Sequence, residues 1–151
     1  MNCTIQKIDN KDEIPFNLLL LADETLDAIY KYVFQSEVFI ANHQDELIAV
    51  FCLYPVDEST IELKNIAVVE HCRSKGFGSR LIDYIKSYVR GKYRRLIVGT
   101  ADQGWEQIRF YERNGFVKYG IRKDFFLLNY DRPIIENGIQ LRDMVMLEFF
   151  L

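Results

Sequence analysis

The residues best placed to do chemistry stand in a row, Arg73-Ser74-Lys75-Gly76-Phe77-Gly78. Two glycines one residue apart let a backbone approach a ligand closely, and the apolar periodicity beginning at Phe77 makes them the start of a helix. The first N–H groups of a helix have no partner within it and carry the positive end of its dipole. Such an end suits an anion, and Arg73, Lys75 and Arg80 add cationic charge around it. That physics suits a pyrophosphate, although the segment has neither the Gly-Lys-Ser/Thr ending of a mononucleotide loop nor the third glycine of a dinucleotide fingerprint. The same residues also read as an ordinary helix start with solvated basic side chains. The surrounding elements decide between the two.

Those elements alternate. Ile5 and Ile8, within Cys3 to Asp9, mark a first strand, and Leu18, Leu19, Ala22, Leu26, Ile29, Tyr30 and Val33 give one buried helical face with a break at Asp23. Val38 to Ala41 and Leu47 to Tyr54 predict an antiparallel hairpin turning at Asn42-His43-Gln44-Asp45. In the next strand, Thr60 to Val69, Ile61 and Leu63 are apolar in one phase and Ile66 and Val68 in the other. That slip fits a strand covered on both faces or a bulge, and bulges re-aim backbone groups beside sites. Phe77, Leu81, Ile85, Tyr88 and Val89 predict a strong amphipathic helix, Tyr93 to Gly99 a strand parallel to the previous one, and Trp105 to Arg113 a helix closed by Asn114-Gly115. Phe116 to Ile121 and Met144 to Phe150 are the last strands. Between them, Tyr119 to Tyr130 and two turn sequences read as a long excursion of the kind that carries function.

Composition narrows the class. A chain of 151 residues with 49% hydrophobic content fills one domain, residues 1–151. A net charge of −3 argues against nucleic acid as partner. No basic leader with an apolar core and no membrane-length apolar run is present in the sequence, which predicts neither export nor membrane anchoring. Cys3, Cys52 and Cys72 show no zinc spacing and read as reduced thiols of a cytoplasmic protein. His43 and His71 read as bystanders, so no metal is expected.

Ile66-Ala67-Val68 followed by Arg73-x-x-Gly76-x-Gly78 resembles the acetyl-CoA-binding motif of the GNAT superfamily of N-acetyltransferases, Q/R-x-x-G-x-G/A. Phe110-Tyr111-Glu112-Arg113-Asn114-Gly115-Phe116 is similar to its later F-Y-x-x-x-G-F motif. The order, separation and surrounding elements match over nearly the whole chain. Gly99-Thr100 and Asn137 to Asp143 narrow the likeness to bacterial aminoglycoside 6'-acetyltransferase-like members. The resemblance implies an α/β fold in which a mixed, mostly antiparallel sheet flanked by helices opens into a V-shaped cleft where the fourth strand parts from the fifth. It implies acetyl-CoA as cosubstrate, a small-molecule or peptide amine as acceptor, no metal, and compatibility with a homodimer.

Residue by residue, it implies that the backbone of Val68 and Val69 pairs with the pantetheine arm and that Val68 N–H polarises the thioester carbonyl. The backbone of Ser74, Lys75, Gly76, Phe77, Gly78 and Ser79 wraps the pyrophosphate, assisted by Arg73 and Lys75. An alkylamine with a pKa near about 10.4 must lose a proton before it attacks. Glu62 stands where some members hold the general base, commonly acting through water, and reads equally as a solvent-face partner for Lys64. Tyr111 faces the sulfur as general acid, against a plainer reading as a core tyrosine beside Phe110. Many members carry Asn-x-x-Ala where this chain has Gly104-Trp105-Glu106-Gln107, so Trp105 either replaces that contact or fills the core. Tyr119, Phe125, Phe126 and Tyr130 are candidate walls of an acceptor pocket, with Asp124, Asp131 and Glu136 as partners for a cationic amine. The alternative class is a non-catalytic acyl-CoA-binding or sensing module, and the presence of both Glu62 and Tyr111 favours the enzyme.

Overall fold

The computed structural model describes residues 2–151. Seven strands form one sheet: β1 (Thr4–Lys7), β2 (Glu37–His43), β3 (Glu46–Pro55), β4 (Thr60–Val68), β5 (Arg95–Ala101), β6 (Val117–Arg122) and, after a small β7/β8 hairpin (Ile135–Glu136, Ile139–Gln140), β9 (Met144–Phe150). Their spatial order is β1-β2-β3-β4-β5-β9-β6. Every pairing is antiparallel except β4 with β5. The mixed, mostly antiparallel sheet expected from the sequence is therefore present.

Helices cover both faces. α3 (Phe77–Val89) packs Phe77, Leu81, Ile82, Ile85 and Val89 against Phe39, Phe51, Leu53 and Leu63 on one side. On the other side α1 (Phe16–Leu19) and α2 (Leu26–Tyr30) set Leu18, Leu19 and Ile29 against Val38, Val50, Cys52 and Ala67. Residues Ile48 to Leu53 of β3 are completely buried between them. This explains why that strand is a continuous apolar run rather than an alternation. The β2–β3 turn closes over Gln44 and Asp45, with φ of 51° and 65°, the left-handed pair that a two-residue hairpin needs.

The helical region divides at the predicted break. Thr25 Oγ1 caps α2 by accepting from Ala28 N–H (3.1 Å), and residues 20–24 become a loop. α4 (Trp105–Arg113) lies beside α3. There Gly78 lets the helices close, since a Cβ at that position would sit 3.1 Å from the Phe110 ring. The long excursion between β6 and β9 holds a short helix, α5 (Phe125–Leu128), and the β7/β8 hairpin. Among the described residues no helix is long and apolar enough to cross a membrane.

Candidate active site

The slip in the β4 pattern is a bulge. Cys52 pairs with Asn65 and Leu53 with Leu63, so Lys64 is the extra residue. Before it Ile61 and Leu63 face α3, and after it Ile66 and Val68 pack toward the same cluster while Ala67 faces α1 and α2. On its other edge β4 pairs with β5 only from Thr60 to Leu63, against Arg95 to Val98, and then the two strands part. The parting is the predicted cleft. It encloses about 660 Å³ and is lined by both strands, the 20–24 loop, α4 and α5.

The bulge decides which backbone groups the cleft sees. Val69 N–H donates to Ile48 O (2.8 Å), so Ala49 and Val68 form a non-hydrogen-bonded pair of the β3–β4 ladder. The N–H and C=O of Val68, and by alternation those of Ile66, therefore point away from β3 to the side where β5 has left. Val69, expected to share in cofactor pairing, has its amide committed to β3 and its carbonyl to Cys72 N–H (3.0 Å). Ile66 takes its place as a candidate, and the phase slip was the signal that could have identified it.

Beyond β4 a 3-10 turn over Glu70–Cys72 leads to the glycine segment. Ser74 (φ 60°) and Gly76 (φ 85°) are left-handed, and they turn the chain into α3. The ladder of α3 starts with Arg80 N–H donating to Gly76 O (3.2 Å), which leaves the amides of Phe77, Gly78 and Ser79 at an open helix end. The buried Phe77 ring anchors this end in the core, while Arg73, Ser74, Lys75 and Gly76 are exposed. Arg73 also turns back, its Nε donating to Val68 O (3.0 Å). The later motif supports this segment from behind: Asn114 Nδ2 donates to Ser79 Oγ (3.2 Å), and Phe110 meets Gly78.

Tyr111 lines the cleft and is 6% exposed, its ring packed edge-on against Phe110 and Phe116. Burial pushes its phenol pKa up, so the proton stays on at neutral pH. Glu62 also lines the cleft but is 3% exposed, which removes it from the solvent face where a simple Lys64 partner would stand. Lys64 reaches it at 3.5 Å, yet its main partner is Arg122 of β6, whose guanidinium meets both carboxylate oxygens at 3.0 and 3.1 Å. Arg122 is distant in sequence and had no local signal.

The far wall of the cleft is built from side chains. Phe125, Phe126, Tyr130 and Glu136 are there as expected. Tyr119, Asp124 and Asp131 are not among the lining residues: Tyr119 lies under the Arg95 guanidinium, Asp124 pairs with Arg142 (3.3 Å), and Asp131 is exposed. Trp105 is 67% exposed and so does not fill the core. The sequence reading missed a network at this wall. Asp23 accepts from Tyr32 OH (2.9 Å) and Tyr130 OH (2.6 Å), and Asn65 Nδ2 donates to Tyr32 OH and Leu19 O, both at 3.0 Å. Away from the cleft, ligand atoms of Glu46, His71 and Cys72 lie within 4.8 Å of one another, an association the sequence spacing hid, and His71 pairs with Glu46 at 2.9 Å.

Comparison with known proteins agrees with this geometry. The sequence profile of the acetyltransferase (GNAT) domain matches residues 34–118. The N-acetyltransferase YvbK of Bacillus subtilis strain 168 is 39% identical over 140 residues, covering 92% of this chain and 90% of the relative. A GNAT family acetyltransferase from Elizabethkingia anophelis, crystallised with acetyl-CoA bound, superposes with a TM-score of 0.95 at 38% identity over 99% of both chains. An IAA acetyltransferase from Bacillus cereus gives 0.92 at 36% identity over 99% of this chain and 100% of its own.

Proposed function

The chain belongs to the GNAT family of acetyltransferases and is an acetyl-CoA-dependent N-acetyltransferase, and on that premise we propose which residues carry each part of the transfer. The observation that carries the proposal is the set of backbone N–H groups without a backbone acceptor, Ile66 and Val68 at the parted edge of β4 and Phe77, Gly78 and Ser79 at the open end of α3. Acetyl-CoA supplies a thioester whose carbonyl carbon takes the amine nitrogen as the C–S bond breaks. Ile66 and Val68 pair with the pantetheine arm as a neighbouring strand would. Val68 N–H is aimed at the thioester oxygen, where negative charge develops and a fixed donor is most effective. Val69 contributes position through its bond to Ile48, and shape. The backbone of Ser74 to Ser79 holds the pyrophosphate, with Arg73 and Lys75 adding charge.

Glu62 receives the amine proton through a water. The Arg122 fork fixes the carboxylate and leaves further lone-pair directions on both oxygens. Tyr111 gives its phenolic proton to the departing thiolate. Burial keeps the phenol protonated at neutral pH, so the proton is present to be given. The acceptor is a small-molecule or peptide amine entering from the α1–α2 and α5 side, and residues 1–151 act as one cytoplasmic domain. Free-thiol release from acetyl-CoA, followed with and without a panel of primary amines, tests the assignment. Release that depends on the amine is expected, and release indifferent to every amine would contradict it.

A further inference from the structure

The wall of the cleft built from the 20–24 loop, α5 and the β7/β8 hairpin, beside the β4 bulge, carries more negative charge than it neutralises. Asp23, Glu24 and Glu136 all line it, and among the described residues no lysine or arginine lies within ion-pair distance of any of them. The cationic side chains that line the cleft form no ion pair with these acids. Lys31 donates to Asn129 O (3.2 Å), Lys64 pairs with Glu62 and Arg73 donates to Val68 O. The Glu24 carboxyl is pushed above its ordinary value by partial burial first, then by Glu136 and Asp23, so both neighbouring acids act on it.

Asn65 gives a second, independent mark of a ligand. It is 4% exposed, it lines the cleft, and its Oδ1 has no partner. Its Nδ2 serves Leu19 O and Tyr32 OH, and a flipped amide would set oxygen against the Leu19 carbonyl, so the orientation is fixed. Asn65 Oδ1 thus adds an open acceptor to the three carboxylates on this wall. An alkylammonium offers three donors and no acceptor. The stacked Phe126 and Tyr130 rings, 5.8 Å apart, give its hydrocarbon chain an apolar floor.

Carboxylates stabilise an ammonium in its charged form, which opposes the deprotonation that the attacking amine requires. The charge held at this wall is therefore a different one from the nitrogen that reacts. We propose that the acceptor carries a second ammonium group and that Glu24 and Glu136, with Asp23 ordered by Tyr32 and Tyr130, select for it. This rests on the acceptor entering the cleft from the α1–α2 and α5 side. The hydrocarbon between the two nitrogens lies along the Phe126 and Tyr130 surface.

The test compares linear diamines of three to six carbons with monoamines in which one amine is replaced by a methyl group. Each is assayed for acetylation and, separately, for calorimetric binding to the CoA-loaded protein. A charge-assisted hydrogen bond predicts that the best diamine exceeds its monoamine by at least about tenfold in kcat/KM and in affinity. Glu24→Gln together with Glu136→Gln brings the two amines to near parity, through KM, while acetyl-CoA binding is kept. Equal handling by the parent, or an undiminished preference in the double variant, overturns the proposal. Diamine-selective binding without acetylation of either amine keeps the proposal and instead contradicts the catalytic assignment above.

Discussion

The two sides of the cleft are made of different material. The side proposed to hold the cofactor is backbone, drawn from one continuous stretch between Ile66 and Arg80 and supported by Phe110 and Asn114. The acceptor side is side chains, brought together from the 20–24 loop, α2, the β4 bulge, α5 and the β7/β8 hairpin. A backbone site depends on where strands part and where glycine permits a turn, and it tolerates many sequences. A site made of side chains changes whenever one residue changes. On the assignment proposed above, the shared cofactor and the individual acceptor meet separate kinds of structure within one cavity.

The largest effect expected is on Tyr111, the one side chain proposed to meet the departing sulfur. Tyr111→Phe keeps the ring and its packing on Phe110 and Phe116, and loss of a general acid is worth at least about 100-fold in kcat. Acetyl-CoA affinity measured by calorimetry should stay the same. Comparable turnover at neutral pH would make Tyr111 a core residue and leave the cofactor side entirely backbone.

A smaller effect belongs to Gly78. Its missing Cβ faces the Phe110 ring at 3.1 Å, so Gly78→Ala must shift that ring by a few tenths of an ångström, and against the helix-propensity gain of alanine a net loss of about 1 kcal/mol is expected, a fall of roughly 2–4 °C in Tm. The open amides move with α3, so acetyl-CoA binding should weaken as well. Unchanged thermal unfolding and affinity would show that Phe110 yields freely and that the contact is not what places the helix end.

On the acceptor side, Asn65→Ala removes the donor to Leu19 O and Tyr32 OH, at about 1–2 kcal/mol in denaturant unfolding. The comparison predicts a raised acceptor KM with acetyl-CoA affinity intact. Loss of both together would mean that the two sides are not separable. The smallest effect is on pH dependence near neutrality. Burial pushes the Cys52 thiol up to about 12, and a hydrogen bond to Glu37 does the same for the Tyr88 phenol. Both keep their protons in the folded state while the unfolded chain gives them up. Stability is therefore flat from pH 7 to about 8.5 and falls progressively as pH rises toward 12, as a Tm series will record.

Sequence legibility follows the same division. The glycine segment, the Asn114-Gly115 cap and the slipped alternation of β4 are local, and each marks a backbone event that the structure contains. The direction of the Val69 amide was not legible, because register with Ile48, and not its neighbours, determines where it points. Arg122 stands 60 residues from Glu62, and Tyr130 stands 107 from Asp23, so no local pattern joins them. The aromatic stretch pointed to a pocket without saying which members face it, since α5 turns Phe126 and Tyr130 inward while Tyr119 stays on the outer sheet.

Amide hydrogen exchange with and without acetyl-CoA tests the backbone assignment most directly. The N–H groups of Ile66, Val68, Phe77, Gly78 and Ser79 should slow on binding, because each gains an acceptor it lacks in the free protein. Val69, already bonded to Ile48, should hold the same rate in both states. Saturating acetyl-CoA that leaves those five amides unchanged, or that protects Val69 in place of Val68, would contradict the account.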